Sequence, residues 1–430
     1  MDVIALTRQL VDIESITGNE AAVGEAIHRE LCRLGYQAKK TPVVGDRFNV
    51  FASHPEHPHP TAVFSTHMDT VPPFIPSSED ALRLYGRVSC DAKGIIAVQI
   101  AAAERLRREG IYVGLLFLVG EERDSQGAKA ANEQPIGSRF LINGEPTENH
   151  LALASKGTLR IELTASGRMA HSAYPELGES AIDKLIMALT RLRAMPLPTL
   201  EGIGPCTLNI GLIEGGRAPN VIPDHAKAHL LYRLVGPTQE LRRQIVETVG
   251  ELAQVDFYLE IPFVRLRAVD GWPTMVAAFT TDIPALTNWG EPLLVGPGSI
   301  HVAHTDGEYV EKKQLSDAVE HYYGLTKKLL STGRSAVFEV TGGDARRSTR
   351  KSTKLGACLP RRPTLWRRLL PPTCAPRCIS PSAGMSGAKR PSPRHSARTN
   401  RCCSILARCG VTGAMSWTES RMTIRKWRTS

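Results

Sequence analysis

Ala62-Val63-Phe64-Ser65-Thr66-His67-Met68-Asp69-Thr70-Val71-Pro72 opens on an apolar triplet and runs within five residues into a His and an Asp. Read for periodicity, Ala62-Val63-Phe64 is a short buried strand that ends at Ser65-Thr66-His67. The same figure recurs downstream. Val113 to Val119 is a continuous apolar strand ending at Gly120-Glu121-Glu122, and Arg139 to Ile142 is a further strand ending at Asn143-Gly144-Glu145. Between them, Ile95, Val98, Ala102 and Leu106 fall at helical spacing, followed by Arg105, Arg107 and Arg108 and then Gly110, a cationic last turn with a glycine stop. Alternating strands and helices predict an α/β fold with a helix-flanked mixed sheet. Each apolar strand delivers a His or a carboxylate just past its carboxyl end, where open α/β sheets place their ligand crevice.

Residues 158–262 read differently. Strand-like Leu159 to Ala165 leads to a helix carrying Ala181, Ile182, Leu185, Ile186, Leu189 and Leu192. Strand-like Thr207 to Ile213 and His225 to Leu234 follow, then a helix over about Thr238 to Ala253 and a closing strand over Asp256 to Glu260. That order predicts an inserted ferredoxin-like α+β lid or dimerisation domain. The chain then returns to a strand at Pro292 to Val295 and a helix near Leu315 to Leu330. The expected division is therefore 1–157 with 263–333 for the main domain, 158–262 for the insertion and 334–430 for a tail.

Composition separates the tail from the rest. The 430-residue chain carries a net charge of +10, but residues 334–430 hold 21 Lys+Arg against 3 Asp+Glu, leaving 32 basic and 40 acidic residues before them. The body is mildly acidic. The tail is rich in Arg, Ser, Pro and Cys, and such a composition buries too little apolar surface to offset ordering, so it is expected to be disordered. A shifted or read-through reading frame of GC-rich DNA would give this composition, which resequencing the coding DNA tests; a basic nucleic-acid arm is the competing reading. Cys374, Cys378, Cys402, Cys403 and Cys409 lack the paired CxxC spacing of a zinc cluster. Only Cys32, Cys90 and Cys206 lie in the body, too few for a disulfide framework and in keeping with a reducing compartment. No apolar run approaches the roughly 20 residues of a membrane span, and Met1-Asp2-Val3-Ile4 lacks the basic start and apolar core of a signal peptide. A cytoplasmic protein with no membrane partner is expected.

Five segments carry the candidate chemistry: His67-Met68-Asp69; Asp91 within Gly86-Arg87-Val88-Ser89-Cys90-Asp91-Ala92-Lys93-Gly94; Glu121-Glu122; Glu145 within Gly144-Glu145-Pro146-Thr147; and His304. Singly each has a bland account: a hydrogen-bonding His, a solvated Glu pair, an Asp that forms a turn. Together, two His and several carboxylates at strand ends form the N/O donor set that zinc prefers. A carboxylate shared between two ions would make a two-metal hydrolytic site.

These motifs, in this order over about residues 1–333, resemble the two-zinc metallopeptidase family of acetylornithine deacetylase, succinyl-diaminopimelate desuccinylase, aminoacylase and glutamate carboxypeptidase. The resemblance implies that His67 in His67-Met68-Asp69-Thr70-Val71-Pro72 is a metal ligand and Asp69 the carboxylate that orients it. It makes Asp91 the bridging ligand, Glu121 the general base, Glu122 and Glu145 ligands on opposite metals, and His304 the last ligand. Two Zn2+ are implied, with Co2+ or Mn2+ as possible substitutes at such N/O sites. In the insertion, Gly167-Arg168-Met169-Ala170-His171-Ser172-Ala173 resembles the family's lid motif, whose His reaches across a homodimer to stabilise an oxyanion in the neighbouring site. Asn220 matches a substrate-binding lid position, Arg233 the partner of the substrate carboxylate, and Gly298 in Gly296-Pro297-Gly298-Ser299 a backbone wall of the pocket. Val88 stands where the family usually has Gly, and Ser180 where Asn is common. His54, His57 and His59 form a further histidine tract.

The segment around Gly298 and His304 looks closest to acetylornithine and acetyl-lysine deacetylases. The implied reaction is hydrolysis of a small-molecule N-acyl-L-amino acid, N2-acetylornithine or acetyl-lysine first. Succinyl-diaminopimelate and small dipeptides stay open, as does a non-catalytic binding protein on the same fold.

Overall fold

Every residue of the strand Ala62–His67 is buried, because this strand lies inside a sheet covered on both faces. In the computed structural model, which describes residues 1–331, the six-stranded sheet runs in the order Gln37–Val44, Arg47–Ser53, Gly114–Leu118, Ala62–His67, Phe140–Asn143, Glu291–Leu294. The last four are parallel; the first two form an antiparallel hairpin at one edge. Side chains alternate between two cores, as period-two geometry requires. Phe64, Leu115, Phe117 and Ile142 pack under the helices Val3–Val11, Lys93–Arg107 and Lys312–Ser331, while Val63, Leu116, Leu118 and Leu141 face Ala128, Leu286 and Trp289. The parallel register sets His67 beside Leu118 and Ser65 beside Asn143. The segments that follow those strands therefore emerge at one edge.

The helix read from Ile95 to Leu106 spans Lys93–Arg107 and is buried almost all round rather than along one stripe, because the helices Val3–Val11 and Lys312–Ser331 and the sheet enclose it. The first 53 residues, for which no elements were expected, form the helices Val3–Val11 and Ala21–Arg33 and the edge hairpin. Asp2 caps the first, its Oδ1 accepting from the N–H groups of Ile4 and Ala5 at 3.0 Å.

The insertion forms a four-stranded antiparallel sheet in the order Thr207–Gly215, His225–Leu234, Gly157–Ser166, Gln254–Ile261. The helices Ala181–Ala194 and Gln239–Val249 supply Leu185, Leu189, Leu241 and Ile245 to the core it shares with Leu159, Ile161 and Leu163. This is the βαββαβ arrangement expected. Ser180 caps the first helix, its Oγ accepting from Asp183 N–H at 3.1 Å, a bond that an Asn would make equally well. Among the described residues no helix is long and apolar enough to cross a membrane. Cys32, Cys90 and Cys206 are free thiols. The expectations for 334–430, including disorder, the zinc cluster and the nucleic-acid arm, lie outside the described residues.

Val88 has a local consequence. It is buried, with φ +69°, in the left-handed region that β-branched residues rarely enter. Left-handed backbone costs a residue with a Cβ about 1–2 kcal/mol, against about 1.5–3 kcal/mol for burying a valine side chain. Relief and loss nearly offset in Val88→Gly, whereas Val88→Ala loses methyl groups and keeps the strain. Thermal melts are expected to place the Gly variant at or above the Ala variant, reversing their usual order.

Candidate active site

Loops at the carboxyl edge of the sheet bring all five candidate segments together, with Asp91 at the centre. Asp91 Oδ1 lies 2.9 Å from His67 Nε2, and its Oδ2 lies 3.4 Å from His304 Nε2. Glu145 Oε2 is 4.0 Å from His67 Nε2, and Glu122 Oε1 is 2.7 Å from His304 Nε2. Two groups result, His67 with Asp91 and Glu145, and Asp91 with Glu122 and His304; in each, the potential ligand atoms lie within 4.8 Å of one another. His67, Asp91 and Glu145 are buried, and the His304 side chain is 40% exposed, which leaves one side open.

Asp69 holds this arrangement from beneath. Its Oδ1 accepts from Glu121 N–H at 3.1 Å, and its Oδ2 accepts from Glu122 N–H at 3.2 Å and Thr17 Oγ1 at 2.8 Å. The nearest partner of His67 Nδ1 is the Asp69 carbonyl oxygen at 3.0 Å, with carboxylate Oδ1 at 3.6 Å. Asp69 thus fixes the Glu121-Glu122 backbone by side chain and His67 chiefly by main chain. The Glu121 carboxylate makes no hydrogen bond or ion pair among the described residues.

Crowded charge in a desolvated site shifts the titrations strongly. Burial, then the Glu145 charge, pushes Glu121 well above the usual carboxylate range. Burial does the same to Glu145 and, less strongly, to Glu122. Burial opposes the charge on His67, but Asp69 and Asp91 outweigh it and hold the imidazole well above its ordinary value. Hydrogen bonds to Asp91 and Glu122 push His304 up to about 10. Asp91 is held low: burial would raise it, but His304 and His67 prevail.

Glu121 also lines a cavity of about 480 Å3 between its own loop, residues 259–262 at the end of the insertion, and residues 280–285. That volume suits a small ligand. Asp282, next to this wall, was not foreseen and has no motif to mark it. It is buried with neither carboxylate oxygen hydrogen-bonded, and burial pushes it up to about 7.

The candidates on the insertion stand apart from this cluster. His171 and Asn220 are exposed neighbours: His171 pairs with Val221 across a short antiparallel bridge, and Ser172 N–H donates to the Asn220 carbonyl at 3.0 Å. Among the described residues neither contacts the Asp91 cluster. Arg233 is half-buried at the base of the insertion, where its Nη1 donates to Thr158 Oγ1 at 2.9 Å. Gly298 reaches the cluster's edge: its φ is +86°, and a Cβ there would stand 2.5 Å from Cys90 Sγ. His54 and His57 pack on the Tyr112 ring at 4.4 and 4.1 Å between centroids, and neither they nor His59 joins a candidate metal group.

The chain is similar in sequence and in fold to known proteins. Residues 153–256 match the peptidase dimerisation domain. The chain is 37% identical over 377 residues to an Aspergillus clavatus protein named "Probable carboxypeptidase", covering 77% of this chain and 83% of that one. It is 36% identical over 342 residues to a peptidase M20 domain-containing protein of Schizosaccharomyces pombe, covering 75% and 83%. Its fold is similar to that of a Bacillus subtilis protein described as a dinuclear metal binding peptidase from the M20 family, with TM-score 0.56, 16% identity and coverage of 77% and 98%.

Proposed function

The chain belongs to the M20 peptidase family, and from that premise we propose that it is a two-metal hydrolase cleaving the amide bond of a small N-acyl amino acid or peptide, with Glu121 as general base. The observation that carries the proposal is that Asp91 turns one oxygen to each of two His/carboxylate groups, while the adjacent Glu121 carboxylate is unengaged. The donor set fits a pair of divalent ions, because mixed imidazole and carboxylate donors suit zinc, cobalt or manganese. Glu145 Oε1 is, besides, buried without a hydrogen-bond partner. His67, Asp91 and Glu145 would hold one ion, and Asp91, Glu122 and His304 the other. Ions bound there would supply Lewis acidity and lower the pKa of water toward about 7.

The protein's own groups do the rest. Glu121 takes the proton of the attacking water and returns it to the departing amine. Asp69 aims Glu121 through its main chain. Gly298 supplies a wall without a side chain, while Arg233, by its guanidinium fork toward the substrate carboxylate, and Asn220, by its side-chain amide, would meet substrate, although the single chain holds both apart from Asp91. His171 would reach a partner's site and stabilise its oxyanion.

The dimer that this requires has a candidate surface. The edge strand Thr207–Gly215 exposes Leu212 by 65% and Ile213 by 63%, beside exposed Ile186 and Met187 on the neighbouring helix. An apolar sheet edge of this kind is normally covered. Leu212→Lys is expected to turn a homodimer into a monomer in sedimentation velocity, with turnover falling in parallel. A monomeric wild type would remove the basis for His171.

The relatives' names do not support the acetylornithine subtype, and they favour a second reading, removal of a carboxyl-terminal residue from a small peptide. Amine release by the zinc-loaded chain from acetyl-ornithine, acetyl-lysine, acetyl-citrulline, succinyl-diaminopimelate and dipeptides separates the two. Turnover of acylated amino acids alone supports the deacylase, and turnover of peptides alone the carboxypeptidase. No turnover by a chain that binds metal favours a non-catalytic protein.

A further inference from the structure

We propose that Glu308, clamped by Arg87, is a positioning residue that ties the Asp91 loop to the His304 loop and thereby sets the chain's affinity for divalent metal; this rests on the two-metal reading above. Glu308 is 1% exposed, and its carboxylate gathers four donors. Oε1 accepts from the main-chain N–H groups of Cys90 and Asp91, both at 3.3 Å. Oε2 accepts from His304 N–H at 3.3 Å and Arg87 Nη1 at 3.0 Å. An ionised carboxylate has about four lone-pair sites, so its capacity is filled.

Arg87, also 1% exposed, is fixed in turn. Its Nη1 donates to the Thr305 carbonyl at 2.9 Å and its Nε to the Pro73 carbonyl at 3.2 Å. Arg87 lies four residues before Asp91, and Glu308 four residues after His304. The ion pair therefore staples together two loops that are remote in sequence and that each contribute a candidate ligand. A buried ion pair is weak evidence for net stability; what distinguishes this one is that two of the N–H groups it holds belong to Asp91 and His304. The backbone of His304 sits in the left-handed region at φ +64°, a conformation that needs such support.

Asp91 belongs to both candidate metal groups and His304 to one, so loosening the staple weakens both binding events. Glu308→Gln keeps the volume but turns an NH2 toward donors, leaving one loop unheld. Calorimetric titration of the metal-free full-length chain with Zn2+, repeated with Co2+ to follow the d–d absorption, reads the effect. Glu308→Gln is expected to weaken both events by about 10–100-fold, the usual cost of losing a partner that orients ligands, and to shift the cobalt spectrum. Arg87→Lys, which keeps the charge but loses the fork, is expected to show a smaller loss in the same direction. Leu163→Ala, in the core of the insertion, lowers the melting temperature and is expected to leave both affinities unchanged.

Wild-type affinities in a folded Glu308→Gln chain would overturn the proposal. If that variant does not fold, unchanged affinities in Arg87→Lys overturn it equally. A wild-type chain that takes up no divalent ion overturns the two-metal reading along with it, which separates the two failures.

Discussion

Glu121→Gln is expected to lower kcat by about 10²–10⁴-fold, the range for a positioned general base, while metal content and KM stay near wild type. The substitution preserves shape and removes the ability to accept a proton. Glu121 is in neither candidate metal group, and its main-chain bond to Asp69 Oδ1 at 3.1 Å does not depend on its side chain. A loss of this size corresponds to about 3–5 kcal/mol of transition-state stabilisation. The pH profile adds a second readout. Burial and the Glu145 charge raise Glu121 well above the usual carboxylate range in the metal-free chain, whereas neighbouring cations would favour its ionised form. Activity should fall as pH drops through the Glu121 pKa, and that acid limb should vanish from the residual rate of the variant. Steady-state kinetics with metal analysis on the same samples checks this; a kcat within tenfold of wild type would remove Glu121 as the base.

Much of this was legible because chemistry and fold share one pattern. A strand buried on both faces must be a short apolar run, and in a parallel sheet its carboxyl end opens onto the crevice. His67, Glu121-Glu122 and Glu145 therefore announced themselves by following such runs. The alternating strands of the insertion were equally plain, since one face of its sheet is buried under two helices.

What escaped lacks a local signature. The edge hairpin of residues 37–53 alternates only weakly, because its outer strand is largely solvated. Asp282 stands just before a single 3₁₀ turn, Ile283–Ala285, and its burial is set by loops distant in sequence. Arg87 and Glu308 lay within quoted motifs, but their pairing spans 221 residues, and only the fold reveals it. His171, Asn220 and Arg233 are the converse case: motif context singles them out, while the single chain leaves them away from Asp91.

Asp91→Ala is expected to weaken both metal-binding events by more than about 100-fold, beyond the usual cost of losing an orienting partner, and to abolish turnover. Asp91 is the group shared by the two candidate metal sites. Removing Glu145 or Glu122 instead should weaken one event more than the other, so the comparison isolates the shared ligand. The metal-free chain offers a further check with a definite sign. Asp91 and Glu122 push His304 up to about 10, from about 6.5 in an unfolded chain. A pKa raised by folding contributes stability that is fully present below the unfolded value and lost as pH rises through the folded one. Asp91 supplies part of that contribution. At higher pH its charge also opposes ionisation of Glu122 and Glu145, so its removal there brings relief. The gap in melting temperature between metal-free wild type and Asp91→Ala should therefore be widest between about pH 4.5 and 6.5, and it should close or reverse toward pH 10. Adding Zn2+ should stabilise the wild type more than the variant, each by RT ln(1 + [L]/Kd) with its own Kd. Equal zinc stabilisation of both chains would place the metals elsewhere.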